Sequence, residues 1–117
     1  MSDVTGLQVI SNLYAGEIKF INTEQSGGSH MISAIGTKNV GNAWIPWCDK
    51  LENFEKHHIS VATKKKVIYI WQSGPNIRYS YDGWSANAPN IPGNSQVGQS
   101  VAWVFDSNGN VTQTSYS

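Results

Sequence analysis

The chain has 117 residues, a length typical of one domain, so we expect residues 1–117 to form a single unit. Only 14% of the residues are charged, and 8 Lys and Arg balance 8 Asp and Glu. This zero net charge provides no net field that would draw the whole chain to nucleic acid or to an anionic membrane. We therefore expect no nucleic-acid partner.

The start of the chain and its single cysteine both favour a cytoplasmic protein. Met1-Ser2-Asp3 leads into no apolar signal segment, and no apolar run approaches the roughly 18 residues of a membrane-spanning helix. Cys48 is the only cysteine, which excludes an intramolecular disulfide and agrees with a reducing compartment.

Short runs of alternating apolar and polar residues, separated by turn residues, predict an all-β, antiparallel β-sandwich. Residues 7–14 and 17–22 are predicted to form a first hairpin. Residues 30–35 are predicted to be the next strand, and the glycine-containing residues 36–41 a turn.

Pro46 lies between Trp44 and Trp47 in the next apolar run, and proline cannot donate to a strand ladder, so this segment is predicted at an edge or bulge. Leu51 and Phe54, spaced by three residues after a capping Asp49, predict one helical turn.

Residues 58–63 and 67–72 are predicted to form a hairpin around a lysine-rich turn. The second of these strands has apolar side chains on both faces, which indicates a strand inside the fold. We interpret the run Lys64, Lys65 and Lys66 as a solvated turn, because the sequence shows no second basic cluster that would make it a phosphate-binding patch.

The last third of the chain contains a long loop between strands. An alternating run at residues 77–82 precedes residues 83–98, which lack periodicity and are long enough for a functional loop. Residues 101–105 are predicted to be a strong strand, which a turn at residues 106–109 joins to a final strand at residues 111–116.

No arrangement of residues predicts an enzyme, a metal site or a cofactor. Cys48 with His57 or His58 would be the nearest nucleophile and base, but adjacent histidines in a strand point to opposite faces. The run from Asp106 to Asn110 begins like a calcium loop, but its glycine comes too early and the twelfth position is Ser117, so a hairpin turn explains it better.

The aromatic composition points to binding of sugars. The chain has 5 Trp and 5 Tyr but only 3 Phe, and Trp and Tyr combine an apolar ring with a polar group. A sugar ring packs on an aromatic face while its hydroxyls bond to amide, carboxylate and guanidinium groups. The predicted binding residues, all within one short stretch, are Arg78, Tyr81, Asp82, Trp84, Asn87 and Asn90.

The same tryptophans also have a structural interpretation. Trp71 and Trp103 lie mid-strand and are predicted to be core residues. Trp84 lies among small and polar neighbours, where an indole can be a sugar platform or a lid over the core. A second candidate binding segment contains Trp44, Trp47 and Asp49.

A pattern covering Asn42 to Ser95 resembles a family of mushroom proteins. It comprises Asn-Ala-Trp-Ile-Pro-Trp-Cys-Asp from residue 42, Tyr-Ile-Trp-Gln from residue 69, Ile-Arg-Tyr-Ser from residue 77 with Asp82-Gly83, and Ile-Pro-Gly-Asn-Ser from residue 91. This pattern is similar to that of the small cytoplasmic fruiting-body lectins with one β-sandwich domain, including the nematotoxic type that binds fucosylated glycans.

The resemblance implies a non-catalytic defence lectin that forms a homodimer and recognises cell-surface glycans of other organisms. It implies contact with membranes only through glycans. It does not assign sugar-contacting residues, so the predicted site depends on residue chemistry. Two alternatives remain open from the residues: a membrane-binding or pore-forming β-sandwich whose exposed tryptophans enter the lipid interface, and a protein-interaction domain whose aromatic residues only form the core.

Overall fold

The computed structural model has nine β-strands and one helical turn among the residues that it describes, which are 6–22, 29–33, 36–48, 51–54, 57–64, 66–73, 76–81, 84, 87–93 and 100–115. For residues 29, 30, 40–44, 51 and 53 it describes the backbone alone. The elements are β1 (Gly6–Asn12), β2 (Ile18–Asn22), β3 (Ser29–Ile32), β4 (Gly36–Trp44), α1 (Leu51–Phe54), β5 (Ile59–Ala62), β6 (Val67–Ser73), β7 (Asn76–Ser80), β8 (Ser100–Phe105) and β9 (Val111–Ser115).

The strands form two sheets. One has four strands in the order β4-β1-β8-β9, and the other has five in the order β3-β2-β5-β6-β7. Neighbouring strands pair antiparallel except β1 and β8, which are parallel. The predicted fold class, an all-β sandwich, is confirmed, with this one parallel pair as an addition.

Alternation along the strands buries one face of each sheet against the other. Phe20 of the five-stranded sheet meets Trp103 of the four-stranded sheet with ring centroids 6.2 Å apart. The other fully buried core residues of the two sheets include Leu7, Ile10, Ile18, Ile59, Val61, Ile68, Ile70, Ile77, Val101 and Phe105. Trp71 is also fully buried, so both tryptophans predicted to be core residues are inside the protein.

The predicted first hairpin is wrong, because β1 and β2 belong to different sheets. Buried Asn12 shapes the crossing between them. Its side-chain oxygen accepts a hydrogen bond from the Tyr14 amide at 2.9 Å, and its Nδ2 donates to the Gly16 carbonyl at 2.9 Å. The side chain thus satisfies backbone groups that a hairpin ladder would otherwise pair.

The predicted turn at residues 36–41 is also wrong, since these residues lie in β4, at the edge of the four-stranded sheet. Glycine and asparagine are tolerated there because an edge strand pairs on one side only. The predicted hairpin of β5 and β6, the turn between β8 and β9, and the helical turn are all confirmed. In the β8–β9 turn, Asp106 Oδ1 accepts from the amides of Asn108 and Asn110, both at 2.9 Å.

Part of the long predicted loop pairs with both sheets. The Tyr79 amide donates to the Pro89 carbonyl at 3.2 Å, the Ile91 amide to the Ile77 carbonyl at 2.8 Å, and the Gln113 amide to the Pro92 carbonyl at 2.9 Å. Residues 89–93, which we name the strap, therefore run from the edge strand β7 of one sheet to the edge strand β9 of the other. The strap closes one side of the sandwich.

Candidate functional site

A second apolar cluster lies on the outer face of the five-stranded sheet. It consists of buried Cys48, Trp71 and Ala88, with Phe54, Tyr69 and Trp84 packed against it. Trp71 alternates with Ile70 along β6, and Ile70 belongs to the core between the sheets. The Trp71 side chain therefore points away from the other sheet. We name this group the outer cluster.

Residues 46–48 position Cys48 in the outer cluster. The Gln72 amide donates to the Pro46 carbonyl at 2.7 Å, and the Cys48 amide donates to the Gln72 carbonyl at 3.0 Å. Trp47 is thus the ladder partner of Gln72, and partners in a ladder share a face. Cys48 consequently points to the same side as Trp71, and Trp47 points to the other side.

The helical turn α1 covers the cluster with an aromatic stack. Phe54 lies flat against His58, with ring centroids 4.3 Å apart and 9° between the planes, and meets Trp71 edge-on at 5.6 Å. The His58 Nδ1 atom is hydrogen-bonded to the Phe54 carbonyl. Burial lowers the pKa of His58 from its ordinary value of 6.5, and the bond to Phe54 opposes that shift.

Arg78 lies beside this cluster on β7. It is the cross-strand partner of Trp71, so its side chain projects from the outer face of the sheet. Its Nη1 donates to the Ala88 carbonyl at 3.0 Å, and its backbone forms a bridge with Asn90. These contacts hold the guanidinium against the start of the strap.

Trp84 packs against the outer cluster. Its indole Nε1 donates to the Cys48 carbonyl at 3.3 Å, and the residue is half-buried. One part of the indole therefore packs on the cluster, as a lid over apolar residues would, and the other part faces solvent.

The structure brings four of the predicted binding residues together. Asn87 and Asn90 are exposed on either side of buried Ala88, whose carbonyl accepts from Arg78 and which belongs to the cluster that Trp84 packs against. We name Arg78, Trp84, Asn87 and Asn90 the rim. Asp82, also predicted to bind, lies outside the described residues.

Tyr81 is not part of the rim. Its hydroxyl donates to Asn110 Oδ1 at 3.4 Å, and Lys66 Nζ lies 4.9 Å from the centroid of its ring. Lys66 precedes the first residue of β6, whereas the rim lies beside Trp71, near the other end of that strand. Tyr81 itself follows the end of β7, and its ring meets that of Tyr79, which packs against the core between the sheets.

The second candidate segment does not join the rim either. Trp47 is 42% exposed and shares the side of buried Gln72 and Ile45, so it faces away from the outer cluster. Trp44 lies in β4, where the structure describes its backbone alone. Asp49 lies outside the described residues.

The sequence did not predict the buried and half-buried residues that lie next to the rim, which include Cys48, Phe54, His58 and Ala88. One signal was present, because the apolar residues on both faces of β6 require a covering layer on each side. The sequence could not show which segments supply the outer layer, since Trp84 and Cys48 are 36 residues apart.

The described residues form neither a metal site nor a membrane-spanning helix. Among the described residues, no three or more His, Cys, Asp or Glu side chains come together as a metal site would require. Within the same part of the chain, no helix has the length and apolar character needed to cross a membrane.

Comparisons with known proteins add no relative. No protein-family model, no curated protein and no solved structure matches this chain.

Proposed function

We propose that this protein is a carbohydrate-binding module whose rim contacts the sugar. The observation that carries the proposal is a partly exposed indole and a guanidinium that are each fixed to a backbone carbonyl beside the same apolar cluster. Trp84 is held by its bond to Cys48, and Arg78 by its bond to Ala88. Groups held in place before a ligand arrives lose little conformational freedom on binding.

The four rim residues supply the chemistry that sugars require. The exposed part of the Trp84 ring offers an apolar surface to the C–H face of a pyranose. The exposed amides of Asn87 and Asn90 can both donate to and accept from hydroxyl groups, and Arg78 adds a charged donor of fixed planar geometry.

The finer features of the proposal follow from the resemblance to mushroom lectins. We propose that the ligands are cell-surface glycans, with fucosylated glycans as the first to test. We also propose a cytoplasmic, non-catalytic defence lectin that acts as a homodimer and needs no metal or cofactor.

A glycan array probed with the labelled protein tests the proposal, followed by titration of the best ligand. Arg78→Ala should weaken binding about tenfold or more, because a charged donor to a hydroxyl contributes roughly 1.5–3 kcal/mol. Trp47→Ala is the matched control, since it removes a partly exposed indole that faces away from the rim.

The outcomes separate the alternatives. If no glycan binds, the proposal fails and a protein-interaction domain becomes the better account. If Arg78→Ala binds as the parent does while Trp47→Ala does not, the sugar site lies at the Trp47 segment instead.

A further inference from the structure

The outer face of the five-stranded sheet has a second half that the outer cluster does not cover. One row of ladder partners crosses it from β3 to β6: Met31, Lys19, Ala62 and Val67. Met31 is 49% exposed and Val67 is 37% exposed, with the exposed Lys19 between them. This row therefore presents apolar side chains around a cation.

This row lies next to one end of the sandwich, and that end also exposes apolar residues. Leu13, which is 53% exposed, lies in the crossing from β1 to β2, and Tyr81, which is 43% exposed, follows β7. The Leu13 amide donates to the Phe105 carbonyl at 2.8 Å, so this crossing also adjoins the start of the β8–β9 turn. Four of the five large apolar residues that the described structure exposes thus lie at this end or in the adjoining row.

Lysines surround these apolar residues. Lys64 is exposed in the β5–β6 turn and reaches toward the β1–β2 crossing, where a β-carbon added to Gly16 would lie 3.8 Å from its Cδ. Lys19 is paired with Ala62, two residues before Lys64. Lys19 is therefore a basic neighbour of the lysine-rich turn, and the sequence alone did not show that the two are close.

A third lysine is held in place at this end. Lys66 Nζ is hydrogen-bonded to Asn110 Oδ1 and lies over the Tyr81 ring. Burial and the negative charge of Asp106 both raise the pKa of Tyr81, so its phenol is neutral at physiological pH. Glu17 and Asp106 are the described carboxylates here, and Asp106 Oδ1 accepts from two amides of its own turn.

We propose that this end, comprising Leu13, Lys19, Met31, Lys64, Lys66, Val67 and Tyr81, docks on the surface of an anionic lipid bilayer. Leucine, methionine and valine side chains enter the boundary between headgroups and acyl chains, and a tyrosine ring is favoured at that depth. The three lysines contact lipid phosphates and carboxylates. A second copy of the chain is a poorer occupant, because a symmetric pairing of this face would bring the lysines of both copies together.

This surface is distinct from the proposed sugar site. Neither Trp47 nor any rim residue belongs to it, and plain phospholipid vesicles carry no glycan. The two proposals can therefore succeed or fail independently.

Vesicle sedimentation tests the proposal. Sucrose-loaded vesicles of phosphatidylcholine with about one third phosphatidylserine should bind the protein, and vesicles of pure phosphatidylcholine should bind it much less. The double variant Lys19→Glu, Lys64→Glu should weaken binding at least about 25-fold, since each basic residue near an anionic surface contributes about fivefold. Leu13→Ser should weaken binding at both low and high salt, because the contact it removes is apolar.

Lys38→Glu is the matched control. Lys38 is exposed on β4 of the other sheet, and its substitution changes the net charge as Lys64→Glu does. It should leave binding within about twofold of the parent when near-ultraviolet circular dichroism shows all variants folded. The proposal is overturned if the parent does not bind phosphatidylserine vesicles, or if Lys38→Glu weakens binding as much as Lys64→Glu.

Discussion

At the scale of single residues, Trp84 has a structural role as well as a proposed binding role. Its indole packs on Cys48, Trp71 and Ala88, and its N–H bonds to the Cys48 carbonyl. A change that removes the whole side chain would therefore disturb stability and sugar binding together, so the two roles must be separated by a smaller change.

Trp84→Phe and Trp84→Ala should differ in thermal unfolding. Phenylalanine keeps an aromatic ring over the outer cluster and loses one hydrogen bond, so it should cost about 1 kcal/mol. Alanine uncovers the cluster and should lower the free energy of unfolding by about 2 kcal/mol or more. The loss should stay below the 3–5 kcal/mol that is typical for removing a fully buried tryptophan. Melting followed by far-ultraviolet circular dichroism measures both. An unchanged melting temperature for Trp84→Ala would show that the indole contributes nothing to the cover.

His58 should make stability depend on pH. Its pKa is lowered in the folded protein by burial, so as the pH falls below about 6.5 the unfolded chain takes up this proton first. The stabilising effect of the neutral imidazole is thus present above about pH 6.5 and is lost on acidification below it. The melting temperature should fall between about pH 7.5 and pH 5.5.

His58→Asn provides the comparison, since its side-chain N–H can still reach the Phe54 carbonyl but does not titrate. This variant should lose much of the pH dependence over that range. Equal pH dependence in the parent and His58→Asn would assign the effect to other groups.

At the scale of elements, the strands that pair through short local turns were predictable from the sequence. The β5–β6 and β8–β9 hairpins have turn residues that fit and alternation on both sides. The pairing of β1 was not predictable, because its partners β4 and β8 are distant along the chain and one of them is parallel. Alternation shows which face of a strand is buried, and it does not show which strand lies beside it.

The candidate site was predictable to a similar extent. Arg78, Trp84, Asn87 and Asn90 are close along the chain, and the structure brings them together because residues 89–91 pair back onto β7. Tyr81 is closer to Arg78 in sequence than any of the others, yet it follows the last residue of β7 and its ring meets Tyr79. Closeness in sequence therefore did not predict closeness in space, because Arg78 lies in the middle of β7 and Tyr81 lies beyond its end.

The strap depends on Gly93, whose φ of 91° is in the left-handed region. A β-carbon there would collide with the Gln113 carbonyl oxygen on β9 and lie 2.9 Å from Thr112 Cγ2. Gly93→Ala should therefore cost more than about 2 kcal/mol in urea unfolding, since backbone strain of about 1–2 kcal/mol is added to a steric clash.

Gly109→Ala is the control for that experiment. Gly109 has a φ of 80°, but the nearest atom to an added β-carbon is 3.5 Å away, so only the backbone strain applies. Gly93→Ala should be the more destabilising of the two. If the two variants are equally stable, the strap is not tightly paired with β9.

At the scale of the whole molecule, we expect a homodimer. A lectin with one weak site per chain gains apparent affinity of about 10²–10⁴ on a multivalent surface when two sites are presented together. Light scattering coupled to size-exclusion chromatography should give about twice the chain mass of 12.9 kDa. A mass equal to that of one chain at micromolar concentration would contradict the dimer.

Nuclear magnetic resonance of the ¹⁵N-labelled protein, titrated with the best ligand from the array, tests whether sugar binds at the rim. The indole N–H signal of Trp84 and the side-chain amide signals of Asn87 and Asn90 should shift together with one dissociation constant. The indole signals of Trp47 and the fully buried Trp103 should stay in place. Shifts confined to Trp47, or to residues around Tyr81, would show that sugar binds away from the rim.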